Sequence, residues 1–151
     1  MSSNPTSVAH DQIHLPVLSS PLDGKTAKTG ASVFTDKGYS LEDYNGLFIT
    51  DRINALNFRH RMSQPGYFSS WHVAGDPTLI IVRSGTLRIT LRNGDYRDFA
   101  AGDMFIAQDY LQDNEIFDDD IHGHTAELIG DHPLLAVHIK LSAREDETAV
   151  I

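Results

Sequence analysis

Residues Leu79–Arg92 read LIIVRSGTLRITLR, and the turn Asn93–Asp95 (NGD) follows them directly. Gly85 separates two runs, and the second run alternates apolar with polar side chains, which is typical of a strand. The Asn-Gly pair is a strong hairpin signal, because both residue types tolerate positive φ angles. A further strand is expected before the turn Ala101–Asp103 (AGD). Short strands joined by tight turns at this spacing predict an all-β barrel or sandwich.

Similar segments continue on both sides of this hairpin. In Leu56–Met62 (LNFRHRM) apolar and polar residues alternate strictly, which predicts a half-buried strand with Phe58 and His60 on its inner face. Tyr39–Tyr44 is expected to form a helical turn or a loop, and the acidic stretch 109–121 a long loop or lid. The other predicted strands are Ala31–Phe34, Leu47–Thr50, Tyr67–Val73, Tyr96–Phe99, Met104–Gln108, His124–Ile129 and Leu134–Leu141.

The chain is expected to form one domain with a segment on either side. A length of 151 residues fits a single domain that buries a core. Residues 1–30 are rich in Ser, Thr, Pro, Gly and Asp, and we expect an N-terminal arm whose apolar patch Ile13–Leu18 packs across the barrel or a partner subunit. Residues 31–142 are expected to form the barrel, and residues 143–151 a charged, frayed tail. Exposed strand edges and this arm favour a homodimer.

The composition argues against several classes of partner. The net charge is −9 and the twelve Lys and Arg residues are scattered, so a nucleic-acid partner is not expected. The absence of cysteine excludes disulfides and thiolate chemistry. No apolar run approaches the roughly 20 residues of a membrane helix, and residues 1–10 lack the basic and apolar regions of a signal peptide. We therefore expect a cytoplasmic protein with a small-molecule partner and no membrane partner.

Four short motifs follow one another along the chain: Trp71-His72, Leu79–Leu87 (LIIVRSGTL), Gly102-Asp103 and Gly123-His124. Their order resembles that of small single-domain cupins, and the resemblance covers roughly residues 47–141. It implies a cupin-type jelly-roll β-barrel with a ligand cavity inside. Because cupins host many unrelated activities, the resemblance implies no single reaction.

The resemblance also implies a metal site with a degenerate ligand set. The usual site uses two histidines separated by one residue, a Glu a few positions later, and a histidine from the second motif. His72 and His124 match the first and last ligands, whereas Ala74 occupies the position of the second histidine and the position of the Glu falls near Thr78. Two imidazoles make a poor divalent site, so either no cofactor or one divalent metal (Zn, Fe, Ni or Mn) is compatible with the pattern. Further ligands could come from His60, Gln108, Asp109, His122 or His138.

His72 and His124 are also the candidate catalytic residues. Imidazole is the side chain best suited to proton transfer near neutral pH, because its ordinary pKa lies close to that pH. A cavity with several histidines and an incomplete metal shell therefore fits acid–base chemistry. The carboxylates that could orient an imidazole are Asp109, Glu127 and Asp131.

A second group of residues is expected to bind the substrate. Arg59, Arg61 and Arg83 alternate with core positions, and an arginine that faces the interior needs a carboxylate on the protein or on a ligand. An inward arginine would indicate a substrate with an acid or enolate oxygen, and the alternative is that all three face water. The residues selected as substrate-binding are Phe58, Arg59, His60, Trp71, Gln108 and His138.

The sequence favours an enzyme, and two other functions stay open. The leading hypothesis is a cupin-type lyase, isomerase or cyclase that moves a proton (isomerisation, cyclisation, dehydration or decarboxylation). Its substrate would be a small, partly apolar molecule, such as a polyketide-like or keto-acid compound of secondary metabolism. The first alternative is a metal-dependent cupin dioxygenase, which the missing ligands disfavour. The second is a non-catalytic small-molecule-binding cupin.

Overall fold

The computed structural model describes residues 8–9, 12–22, 28–145 and 149–150. Within these ranges the chain forms thirteen β-strands, and it has no helix long and apolar enough to cross a membrane. The strands are β1 (Val8–Ala9), β2 (Gln12–Ser19), β3 (Val33–Tyr44), β4 (Leu47–Thr50), β5 (Ala55–Ser63), β6 (Phe68–His72), β7 (Thr78–Ser84), β8 (Thr86–Thr90), β9 (Tyr96–Phe99), β10 (Met104–Ala107), β11 (His124–Ile129), β12 (Leu134–Leu141) and β13 (Ala149–Val150).

These strands form two sheets. The larger sheet has the order β13-β3-β2-β10-β7-β12-β5, with β1 added to β2 and β4 added to β3. The smaller sheet has the order β6-β11-β8-β9. Strand β10 runs parallel to β2, and the other strand pairs are antiparallel. The all-β jelly-roll barrel expected from the sequence is therefore confirmed.

The main core lies between the two sheets. Alternate residues of the stretch that begins at Leu79 point into it, which is the period-two pattern of strands with one buried face. The rings of Phe99 and Phe105 stack at its centre, with centroids 4.0 Å apart. The fully or nearly fully buried apolar residues of this core are Leu18, Phe34, Ile80, Val82, Leu87, Ile89, Leu91, Phe99, Phe105, Ala107, Ala126, Leu128, Leu134 and Ala136.

Gly85 connects β7 to β8 at a point where the backbone passes close to Pro133 and Leu134. Its φ angle is +83°, and a Cβ atom there would lie 2.7 Å from the backbone oxygen of Pro133. Any other residue would combine an unfavourable φ with a clash against backbone atoms. The motif is therefore structural at this position, as the sequence analysis expects.

Two segments differ from their expected conformation. The described part of the predicted arm contains β2, which pairs with β3 along one edge and with β10 along the other, so Ile13–Leu18 crosses the barrel as an inner strand. The expectation of a helical turn or loop at Tyr39–Tyr44 is wrong, because these residues complete β3. The chain then turns at Asn45 and Gly46, which both have positive φ angles, into β4. This Asn-Gly pair is itself a hairpin signal.

Strand β5 has the opposite orientation to the one predicted. Phe58 is 63% exposed and Met62 is 55% exposed, and His60 is exposed on the same face. Arg59 and Arg61 lie on the other face and line the cavity, where Arg61 is half-buried and Arg59 is exposed. Alternation fixes which residues share a face but not which face is inside. Here the edge strand turns Arg59 and Arg61 toward the cavity.

Candidate functional site

A cavity of about 420 Å³ lies inside the barrel, within the size range of small-molecule sites. Both sheets contribute to its wall. None of the lining residues, all from the described part of the chain, carries a carboxylate. The apolar wall and its small neighbours are Val73, Ala74, Ile80, Leu87, Ile89, Phe105, Ala107 and Ala126. The polar residues are Arg59, Arg61, Tyr67, His72, Thr78, His124 and His138.

His72 and His124 lie together in this cavity. They are directly opposite each other on β6 and β11, and their ring centroids are 4.4 Å apart. Gly123 makes this approach possible, because a Cβ atom there would lie 2.6 Å from the backbone oxygen of His72. The convergence of the two imidazoles that the sequence analysis expects is present, and their catalytic roles stay predictions.

Asp109 orients the ring of His124. Its carboxylate is fully buried, and its Oδ2 accepts a hydrogen bond from His124 Nδ1 at 2.6 Å. Ser32 donates its hydroxyl to the same oxygen, and the backbone NH of Ala74 donates to Oδ1. The carboxylate only accepts, so Nδ1 of His124 carries a proton and Nε2 is the nitrogen available to the cavity.

His72 is held with the same nitrogen protonated. Its Nδ1 donates to the backbone oxygen of Ser70 at 2.6 Å, so Nε2 is again the available nitrogen. Burial lowers the pKa of His72, and the neighbouring His124 lowers it further, although the bond to Ser70 acts in the opposite direction. His72 is therefore a neutral imidazole at neutral pH.

Arg61 and His138 form the opposite part of the polar lining. Arg61 donates from Nε to Ser63 Oγ at 3.1 Å and from Nη1 to His138 Nε2 at 3.4 Å. Its guanidinium lies 4.9 Å from the ring centroid of Tyr67. Burial, followed by the charges of Arg61 and Arg59, lowers the pKa of His138 to about 4. His138 is therefore neutral at physiological pH and accepts the bond from Arg61.

Four of the six residues selected as substrate-binding do not line the cavity. Phe58 and His60 face outward, as described above. Trp71 lies beneath the guanidinium of Arg92, with Cζ 3.8 Å from the ring centroid. The buried Gln108 amide binds the backbone of Glu145 through both its nitrogen and its oxygen. Within the cavity wall are the remaining two, Arg59 and His138.

The sequence analysis considers Arg61 and Asp109 but selects neither. Arg61 shares a strand face with Arg59, so the alternation that places one inside places both. Asp109 lies two residues after the end of β10, where an acidic loop begins, and its burial has no signal in the local sequence. The other candidate carboxylates, Glu127 and Asp131, are absent from the cavity wall.

The residues present do not fit a divalent metal. No group of three His, Cys, Asp or Glu side chains within the described ranges could hold a metal ion. Both oxygens of Asp109 are occupied by hydrogen bonds, and His138 Nε2 accepts from Arg61. His122 binds the acidic loop and Thr29. Two imidazoles remain, which is fewer than the three or four protein ligands of a stable site.

No family model and no curated protein matches the chain. Solved cupin structures have a similar fold. A cupin-like protein from Thermotoga maritima has 16% identity and a TM-score of 0.44, over 87% of this chain and 86% of that one. A cupin 2 conserved barrel domain protein from Rhodopseudomonas palustris has 12% identity and a TM-score of 0.41, over 98% and 86% of the two chains.

Oxalate decarboxylase from Bacillus subtilis is a third similar structure, with 17% identity and a TM-score of 0.41. The match covers 86% of this chain and 29% of that chain, so this protein spans under a third of the length of the decarboxylase. These likenesses say nothing about activity.

We predict that the stability of the protein falls as the pH decreases from about 6.5 to about 4. Unfolded His138 takes up a proton near its ordinary pKa of 6.5, whereas folded His138 takes one up only near pH 4. The unfolded state therefore binds more protons in this window, so the free energy of unfolding rises with pH there. Urea unfolding at a series of pH values measures this dependence.

His138→Gln should flatten the pH dependence, because glutamine keeps an acceptor for Arg61 and does not titrate. His132→Gln is the matched control, since the side chain of His132 is 88% exposed. If the free energy of unfolding depends on pH as steeply in His138→Gln as in the unmodified protein, the dependence does not come from His138.

Proposed function

We propose that the protein is a small-molecule enzyme that transfers a proton within the cavity, as an isomerase, lyase or cyclase does. The observation that carries this proposal is the buried Asp109–His124 pair, whose available nitrogen belongs to a ring in the cavity wall. A histidine oriented by a buried carboxylate is a recurrent device for general acid–base catalysis. The wall combines apolar with polar side chains, which suits a small, partly apolar substrate.

His124 is the proton acceptor in this proposal. Its Nε2 removes a proton from a carbon next to a carbonyl group, and the electron pair of that C–H bond moves onto the carbonyl oxygen as an enolate. Asp109 stabilises the imidazolium that forms. The same nitrogen then returns the proton to a different atom of the substrate, so charge and protons balance over the cycle.

His72 has a different role, because it is neutral and less basic than an ordinary histidine. Its Nε2 accepts a hydrogen bond from a hydroxyl or enol group of the substrate. The cations Arg59 and Arg61 in the same wall favour the negative charge that develops on the enolate oxygen. In this proposal His124 is the base and His72 is a hydrogen-bond acceptor, so the two imidazoles have different roles.

The exchange of carbon-bound hydrogen for deuterium tests this proposal. The protein is incubated in D₂O with a panel of oxo acids, including 4-methyl-2-oxopentanoate and its 3-oxo isomers, and loss of the C–H signal is followed by NMR. We expect the protein to accelerate exchange in at least one compound. Asp109→Asn should slow it by roughly 10²–10⁴-fold, because the amide cannot stabilise the imidazolium. His132→Gln should leave it unchanged.

The same assay separates the alternatives. Exchange should persist after dialysis against EDTA, and dependence on an added divalent metal would favour the metal-dependent alternative. Binding of a panel compound without exchange would favour a non-catalytic binding protein. Exchange that is equally fast in His124→Gln, Asp109→Asn and the unmodified protein would contradict the assignment of the base.

A further inference from the structure

We propose that the cavity binds a monocarboxylate with an apolar body, and that Arg61 holds its carboxylate with Arg59 beside it. This inference deepens the proposed function, on which it rests, by naming the ligand class of the same site. Arg61 Nη2 is a buried nitrogen without a hydrogen-bond partner in the described part of the chain. A buried donor on a charged group is costly to leave unpaired, so this atom points to a ligand acceptor.

The rest of the guanidinium is already fixed. Nε binds Ser63, Nη1 binds His138, and the group lies against Tyr67. These contacts set the orientation of the fork before a ligand arrives, which lowers the entropy lost on binding. His138 is neutral and acts as an acceptor, so it holds Arg61 without neutralising its charge.

No carboxylate from the described residues lines the cavity itself, and Asp76 in an adjoining pocket is paired with Lys140. The chain has 21 Asp and Glu residues, yet none of the described ones lines the cavity. Asp109 contacts His124 of the cavity wall, but its two oxygens already accept hydrogen bonds from His124, Ser32 and Ala74. The buried donor of Arg61 in a carboxylate-free wall, with the exposed Arg59 beside it, makes an anion the complementary ligand.

The position of Arg59 and the apolar wall define the rest of the ligand. Arg59 lines both this cavity and an adjoining pocket of about 600 Å³, which share Ala74, Thr78 and His138. Arg59 therefore lies where the two spaces meet. The inner part of the cavity is lined by the apolar residues Ile80, Leu87, Ile89 and Phe105, which suits a hydrocarbon body. A single acid group on an apolar chain matches this distribution.

Binding of simple acids tests the inference without any turnover. Calorimetry with straight-chain carboxylates from butanoate to octanoate is compared with the corresponding primary amides and with inorganic phosphate. At least one acid should bind at least tenfold more tightly than its amide. Arg61→Gln should remove this preference, Arg61→Lys should retain part of it, and Arg83→Gln should have no effect, because Arg83 is exposed and outside the cavity wall.

The outcomes distinguish this inference from the proposed function. Acids that bind no better than amides, or equal binding by Arg61→Gln, would overturn the inference even where deuterium exchange occurs. Phosphate that binds more tightly than every acid would also overturn it. Asp109→Asn should retain acid binding, so a protein that binds acids but exchanges nothing would keep the anion site and lose the catalytic proposal.

Discussion

The buried carboxylate of Asp109 is the interaction on which the site depends. It follows β10 of the larger sheet and binds His124 at the start of β11 in the smaller one. It also binds Ser32, just before β3, and the backbone of Ala74, just after β6. One side chain thus connects four segments from both sheets. A charged group with no contact with water is stable only when its hydrogen bonds are satisfied, so the loss of any partner would disturb the position of His124.

The distribution of charge inside the barrel follows from this arrangement. The protein as a whole is acidic, yet the cavity wall holds two arginines and three histidines without a carboxylate. Burial keeps His72 and His138 neutral at physiological pH. The cavity therefore combines the positive charge of Arg61 with the Nε2 atoms of His72 and His124, which can accept protons or hydrogen bonds. Such an interior suits an anionic substrate whose charge grows during the reaction.

Much of the fold is predictable from local patterns, whereas the site is predictable only in part. The hairpin signals at Gly85 and Asn93-Gly94 place β7, β8 and β9 correctly, because turn chemistry is local. The alternation in Leu56–Met62 predicts β5 but not which face is inside, since the choice depends on a cavity formed by distant strands. The order of the motifs predicts that His72 and His124 lie together, as they do. Burial of Asp109 depends on three segments remote in sequence, so no local pattern reveals it.

The central claim is that Asp109 fixes the proton of His124 on Nδ1 and leaves Nε2 free to act. Two-bond ¹H–¹⁵N NMR spectra of protein labelled with ¹⁵N-histidine, recorded at mildly alkaline pH, measure this directly. The account predicts a protonated Nδ1 and an unprotonated Nε2 for His124, and a mixture of the two neutral forms in Asp109→Asn. A His124 ring that carries its proton on Nε2 in the unmodified protein would contradict it.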